Sequence, residues 1–203
     1  MSIVSSAQAG TLSGAAQNYN LFLFDDWNQR GGDVEGRAAI GGNATLQHVG
    51  IADRLSNSNG TDDRLIVGGN LSYNGGQVFG GNSIVGGTSS GVNYNCSACS
   101  TKSGTPIDFA DARSFYRDLS DTLFALEGTG TQSLNPYSKQ LQLNGAGTGT
   151  HVFNISLADV KEIFLGASSE SELVVINVLD EMIDSRITSF FHTEANADSN
   201  KWS

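Results

Sequence analysis

Four carboxylates near the start of the chain could do chemistry together: Asp25, Asp26, Asp33 and Glu35. Calcium takes about six to eight oxygen ligands, often carboxylates mixed with loop carbonyls, so these four are the candidate calcium site. The competing reading pairs Glu35 with Arg37 beside a corner and lets Asp25 and Asp26 cap a turn. No EF-hand loop or Gly-Gly-x-Gly-x-Asp repeat supplies a dedicated cradle. The acids Asp53, Asp62 and Asp63 form a weaker set. Calcium apart, no cofactor is expected.

The two cysteines, Cys96 and Cys99, stand three apart in Asn95-Cys-Ser-Ala-Cys99. A structural zinc site needs two further ligands, and His48, His151 and His192 are scattered. A redox pair belongs at a helix N-terminus, whereas this pair lies in a Ser/Asn/Gly-rich loop. A local disulfide pinning that loop is the favoured reading.

Catalysis finds little support. Glycoside cleavage needs an acid and a second carboxylate working as a pair, and no pair stands out. There is no Gly-x-Ser-x-Gly elbow and no P-loop lysine. His151 opens a strand in a Thr/Gly-rich patch, where a histidine is more often structural than a general base. The chain is therefore read as non-enzymatic, with a β-helical carbohydrate-active enzyme as one alternative.

The elements that would position these residues follow from composition and repetition. The 203 residues include 25 glycines and only 2 prolines, with a net charge of -10. That charge disfavours nucleic acid and anionic lipid surfaces as partners. No apolar run is long enough to span a bilayer. A phrase of apolar run, Gly-Gly-Asn and apolar run recurs at Gly41-Gly42-Asn43, Gly68-Gly69-Asn70 and Gly80-Gly81-Asn82, with a further Gly-Gly at Gly86. Steps in multiples of six beyond Gly68 predict short strands between tight corners. Glycine there permits positive φ and close backbone approach, and stacked asparagines can bond from coil to coil. Ala39-Ile40, Leu65-Ile66-Val67, Val78-Phe79 and Ile84-Val85 would fill a narrow core. The stretch 53–63 reads as an inserted surface loop.

Thr105-Pro106-Ile-Asp108 reads as a helix start, with Thr105 as N-cap. Apolar residues from Phe109 to Leu126 at spacings of three and four predict an amphipathic helix over about 106–127, covering one flank of the strands. Strands are expected again at Tyr19–Phe24, Lys139–Asn144, His151–Ser156 and Glu172–Val178. Leu157–Leu165 reads as a helical turn or short connection. Residues 1–18 form a polar leader, read either as the remnant of a signal peptide or as a disordered terminus. Residues 179–203 are an atypical glycine-free tail with rough helical spacing. It is read as a truncated or frame-shifted end, or as a segment with a different packing role.

Asn20-Leu-Phe-Leu-Phe-Asp-Asp26, Asp33-Val-Glu-Gly-Arg-Ala-Ala-Ile-Gly-Gly-Asn43, Leu65-Ile-Val-Gly-Gly-Asn70, Pro106-Ile-Asp-Phe-Ala110 and Val152-Phe-Asn-Ile155 together resemble the choice-of-anchor A domain. The resemblance runs from about Gly10 to Val178 and implies a mainly β fold over 19–178. That fold is a right-handed β-solenoid, ice-binding-like, with one long helix along its side. It implies an exported bacterial cell-surface protein, secreted or anchored, that adheres to an extracellular glycan, the matrix or another cell surface. The chain departs from the pattern after Val178, where further strands and a sorting signal would be expected. Loops 53–63 and 88–104 and an exposed strand face would carry binding. Ice binding is an alternative, though Thr129-Gly-Thr131 and Thr148-Gly-Thr150 are isolated and no regular threonine ladder is visible. A structural role through self-association at open strand edges is another.

Overall fold

The structure, a computed structural model, describes residues 14–145, 149–168, 173–180 and 189–194. The protein is mainly β with one helix. It divides at Arg117/Asp118 into two compact units.

The first unit alternates short strands with tight corners. In order these are β1 (Leu21–Leu23), β2 (Trp27–Arg30), β3 (Asp33–Val34), β4 (Ala38–Ile40), β5 (Ala44–Ile51), β6 (Asp63–Val67), β7 (Leu71–Val78), β8 (Asn82–Val85), β9 (Ser89–Ser90) and β10 (Thr101–Ser103). β1, β4, β6, β8 and β10 form one parallel sheet. β2, β5, β7 and β9 form a second parallel sheet. A third ladder continues past a bend: β3 pairs with the end of β5, the end of β5 pairs with the end of β7, and Val78 bridges to Tyr94. Between the ladders lies a dry core of Ile40, Leu46, Val49, Ile51, Leu65, Val67, Leu71, Tyr73, Val78 and Val85.

The repeat is longer than the glycine spacing predicts. Equivalent corner residues stand 17 residues apart from Asp26 to Asn43, 27 from Asn43 to Asn70 and 18 from Asn70 to Thr88. The long step holds the 53–63 insertion. Gly80-Gly81-Asn82 is not in this stack. It enters β8 from another corner, with Gly80 at φ 62 and the Asn82 side chain buried between the Gly60 carbonyl and the Ser100 amide. Identical tripeptides thus serve two corners, because the register is chosen by the buried residues of each strand.

Gly41, Gly68 and Gly86 do stack at one corner, each donating its N–H to the preceding coil. None of the three has a positive φ, so their expected left-handed geometry is corrected. They are needed for contact: a Cβ on Gly68 would overlap the Gly41 carbonyl oxygen, and one on Gly41 would overlap that of Phe24. Left-handed backbone marks the next bend instead, where Gly31 (φ 71), His48 (φ 53), Gly75 (φ 72) and Gly91 (φ 73) recur. The core prediction is corrected similarly. Ala39 and Ile66 are buried as expected, though not in the cluster that Ile40, Leu65, Val67, Val78 and Val85 share, whereas Phe79 and Ile84 are only half-buried.

Helix α1 (Phe109–Phe124) starts later than expected. Asp108, not Thr105, caps it, its Oδ1 accepting the Ala110 and Asp111 amides at 3.0 Å each. Only Ala112 of α1 is fully buried. The first half of α1 lays Phe109 and Tyr116 on Phe22, with ring centroids 5.5 and 6.3 Å away. Arg113 sits over the Phe24 ring and pairs with Asp25. Ahead of β1, Ala15–Asn18 form a short 3-10 helix, and the Ala16 amide donates to the Tyr116 hydroxyl.

The second unit holds β11 (Thr131–Leu134), β12 (Gln140–Asn144), β13 (Thr150–Ile155), β14 (Glu162–Ser168), β15 (Leu173–Val178) and β16 (Ser189–Glu194). β11 is antiparallel to β12, and β12, β14 and β16 run parallel. β13 and β15 form a separate parallel pair. Leu141, Leu143, Phe153, Ile155, Val160, Ile163 and Leu165 make its core. Within Leu157–Leu165, the expected helical turn or short connection gives way at Glu162 to β14, whose Ile163 and Leu165 alternate into that core. Ser189–Glu194 are a strand, not helix; 181–188 and 195–203 lie outside the described residues. Asn154 and Asn177 pair across β13 and β15 at 2.9 Å. Asn177 also donates to the Leu123 carbonyl at 3.0 Å, a second bond to an acceptor that already takes the Leu126 amide at the helix end.

Candidate functional site

The corner between the first two sheets is closed by a ladder of side chains. Asp26 Oδ1 accepts the Asn43 backbone N–H at 2.6 Å and the Asn43 Nδ2 at 3.2 Å. Asn43 Oδ1 in turn accepts the N–H and Nδ2 of Asn70, at 2.9 and 3.2 Å. Asn70 Oδ1 accepts the N–H and Oγ1 of Thr88, at 2.8 and 2.9 Å. Each rung satisfies a corner amide that no strand partner reaches.

Beside this ladder the outward residues of the second sheet form rows. Strand alternation buries Ala44, Leu46, Leu71 and Tyr73 and exposes the residues between them. Parallel register aligns Asn28, Thr45, Ser72 and Ser90 in one exposed row, and Arg30, Gln47 and Asn74 in the next. Neighbours within a row stand about 4.8 Å apart, and rows about 6.7 Å apart. The face is rigid from below, where Tyr73 is buried and donates its hydroxyl to the Val49 carbonyl at 2.6 Å. Burial pushes the Tyr73 pKa up, with Asp33 and Tyr94 adding to the shift. In a chain of net charge -10, the ladder and the two rows beside it carry only Asp26 and Arg30 as charged groups. Such a surface offers hydroxyls and amides at fixed spacing to a neutral, hydroxyl-rich partner.

The candidate calcium residues are not brought together. Asp26 is the foot of the side-chain ladder, and Asp25 pairs with Arg113. Glu35 faces Arg54 at 4.0 Å, whereas Arg37, its expected partner, pairs with Asp62 at 3.1 Å. Asp33 lies on the third ladder beside Gly50. Among the described residues no group of three or more His, Cys, Asp or Glu side chains could hold a metal ion. Cys96 and Cys99 are joined in a disulfide just before β10. The inserted loop is pinned by Arg64, buried, which reaches the Ser56 carbonyl and Asp62. His151 is buried against Gly145. The Thr129 hydroxyl is engaged with the backbone of Thr150 and Val152, and Thr148 lies outside the described residues.

A family model described as "Putative Ice-binding-like adhesive domain" matches residues 12–202. The chain belongs to this family. No curated protein and no solved structure matches it. The family match runs through the tail beyond Val178 as well as through the repeats. In this ice-binding-like adhesive domain, the polar rows are not built from the Thr-x-Thr pairs that stand out in the sequence. The available signal was a small polar residue two positions after each rung: Asn28 after Asp26, Thr45 after Asn43, Ser72 after Asn70 and Ser90 after Thr88.

Proposed function

We propose that this domain is the non-catalytic adhesive part of an exported bacterial cell-surface protein of the choice-of-anchor A kind, and that it binds through the polar face of β2, β5, β7 and β9. In this reading the first unit is a right-handed β-solenoid with α1 along its side. The register-aligned row Asn28–Thr45–Ser72–Ser90 carries the proposal. The Cys96–Cys99 disulfide is in keeping with an oxidising, extracytoplasmic setting. No helix among the described residues is long and apolar enough to cross a membrane. The partner is an extracellular glycan, matrix or cell surface rich in neutral hydroxyls.

The test is retention of polysaccharide-coated beads (cellulose, chitin, mucin) by the immobilised domain, compared with Thr45→Tyr and Ser72→Tyr. Tyrosine keeps strand propensity while breaking the flatness of the row. At least one coating should be retained by the parent and released by both variants. Retention of none, or equal retention by the variants, overturns the proposal. Ice is a second reading, favoured by the regular spacing of the same row. Thermal hysteresis that Thr45→Tyr abolishes would support it, and its absence in the parent removes it.

A further inference from the structure

The third ladder carries a separate groove of about 530 Å³, open to solvent and lined by Asp33, His48, Gly50, Gln77, Phe79 and Asn93. Its size falls within the usual range for small-molecule sites, about 300–1,000 Å³. Four successive passes of the chain build it by register. Asp33 lies opposite Gly50, and Gly50 opposite Gln77. Asn93 follows on the next coil, where its carbonyl accepts the Val78 N–H at 2.9 Å.

Gly50 makes room for the Asp33 side chain. It is buried and has no positive φ, so glycine is not required there by backbone geometry. A Cβ at this position would overlap the Asp33 Oδ1 atom and stand 3.4 Å from the Phe79 ring. A carboxylate and an aromatic edge therefore converge on one spot that a side chain would fill. The Asp33 carboxylate has neither a hydrogen-bond nor an ion-pair partner among the described residues. Gln77 and Asn93 add two primary amides, each with donors and an acceptor.

We propose that this groove binds a single neutral sugar ring. A pyranose has adjacent hydroxyls that a carboxylate or a primary amide can hold in pairs, and an apolar C–H face that packs on an aromatic ring. Asp33, Gln77 and Asn93 supply the first kind of group and Phe79 the second, with Gly50 leaving the room in which the Asp33 carboxylate lies beside Phe79. The proposal does not rest on the polar rows of the second sheet, which lie on a different face.

Titrations of methyl β-glucoside, methyl β-galactoside and N-acetylglucosamine into the isotope-labelled protein, followed by NMR, test it. At least one should shift the amides of Gly50, Gly76 and Gln77 saturably, with Kd on the order of 1 mM for so open a site. Asp33→Asn leaves the fold unchanged, because the carboxylate holds nothing. Gly50→Ala moves only the flexible end of Asp33. Each should weaken binding by roughly fivefold or more, the loss of one charge-assisted hydrogen bond, whereas Tyr137→Ser, at an exposed position of the other unit, should bind as the parent. No saturable shift with any of the three sugars overturns the proposal. So do undiminished shifts in Asp33→Asn and Gly50→Ala, or shifts of these amides by calcium chloride alone.

Discussion

Asn70→Ala is the most informative perturbation of the side-chain ladder. Asn70 is the middle rung: its Nδ2 donates to Asn43 Oδ1, and its Oδ1 accepts both the N–H and Oγ1 of Thr88. Alanine removes all three bonds and leaves the Thr88 amide without a protein partner. A net hydrogen bond contributes about 0.5–1.5 kcal/mol, so three would sum to about 1.5–4.5 kcal/mol. The rungs are exposed and water replaces part of the loss, which brings the expectation to about 1–2 kcal/mol. For a chain of this length that is a fall in Tm of about 2–8 °C. Thermal unfolding by circular dichroism measures it. Thr88→Val, which loses only the hydroxyl bond, should fall by less than half as much. Asn43→Ala and Asn70→Ala should be non-additive, with a coupling of at least about 0.5 kcal/mol, because the two side chains touch. An Asn70→Ala protein that melts like the parent, or a strictly additive double variant, would refute the ladder as a source of stability.

Three further outcomes follow from the same structure. Gly68→Ala should cost about 1–3 kcal/mol through overpacking against the Gly41 carbonyl; Gly31→Ala, with open space around its Cβ, should cost only the left-handed penalty of about 1–2 kcal/mol, and chemical denaturation compares them. The Tyr73 pKa is raised by burial above its ordinary 10.0, so its contribution is full below about pH 10 and is lost as pH rises further; Tyr73→Phe should flatten that alkaline decline in a pH series of melts. Asp180 accepts the Leu157 amide and the Ser156 hydroxyl, and these hold its pKa below the ordinary 3.8. Its contribution is present above that value and lost as pH falls further, so Asp180→Asn should unfold with a shallower acid dependence than the parent.

Much of the local structure was legible in the chain. Alternation at Gln140–Asn144 and the apolar run at Leu173–Val178 marked strands, since period-two burial is a local property. Spacings of three and four marked α1, although the cap moved to Asp108 because its carboxylate reaches two open amides where Thr105 does not. Leu157–Leu165 misled because its mixed spacing shows no clear alternation before Glu162, while β14 is specified by pairing with β12 and β16. The four acids of the calcium set, close in sequence, are separated by corners: Asp25, Asp26 and Glu35 each meet a different neighbour, and Asp33 faces a groove.

By itself, the sequence determined that this would be a mainly β chain of short strands and glycine corners with one amphipathic helix, because alternation, turn chemistry and helical periodicity act over a few residues. Tertiary structure decided which corners stack. Gly41, Gly68 and Gly86 share one column and Gly80 another, a choice made by which apolar residues meet in the core across 17, 27 or 18 residues of chain. It also decided that Asn28, Thr45, Ser72 and Ser90 form a row, and that Asp33, Gly50 and Phe79 form a groove. Those juxtapositions depend on inter-strand register, which is set by hydrogen bonds and packing between coils and so cannot be read within any single strand.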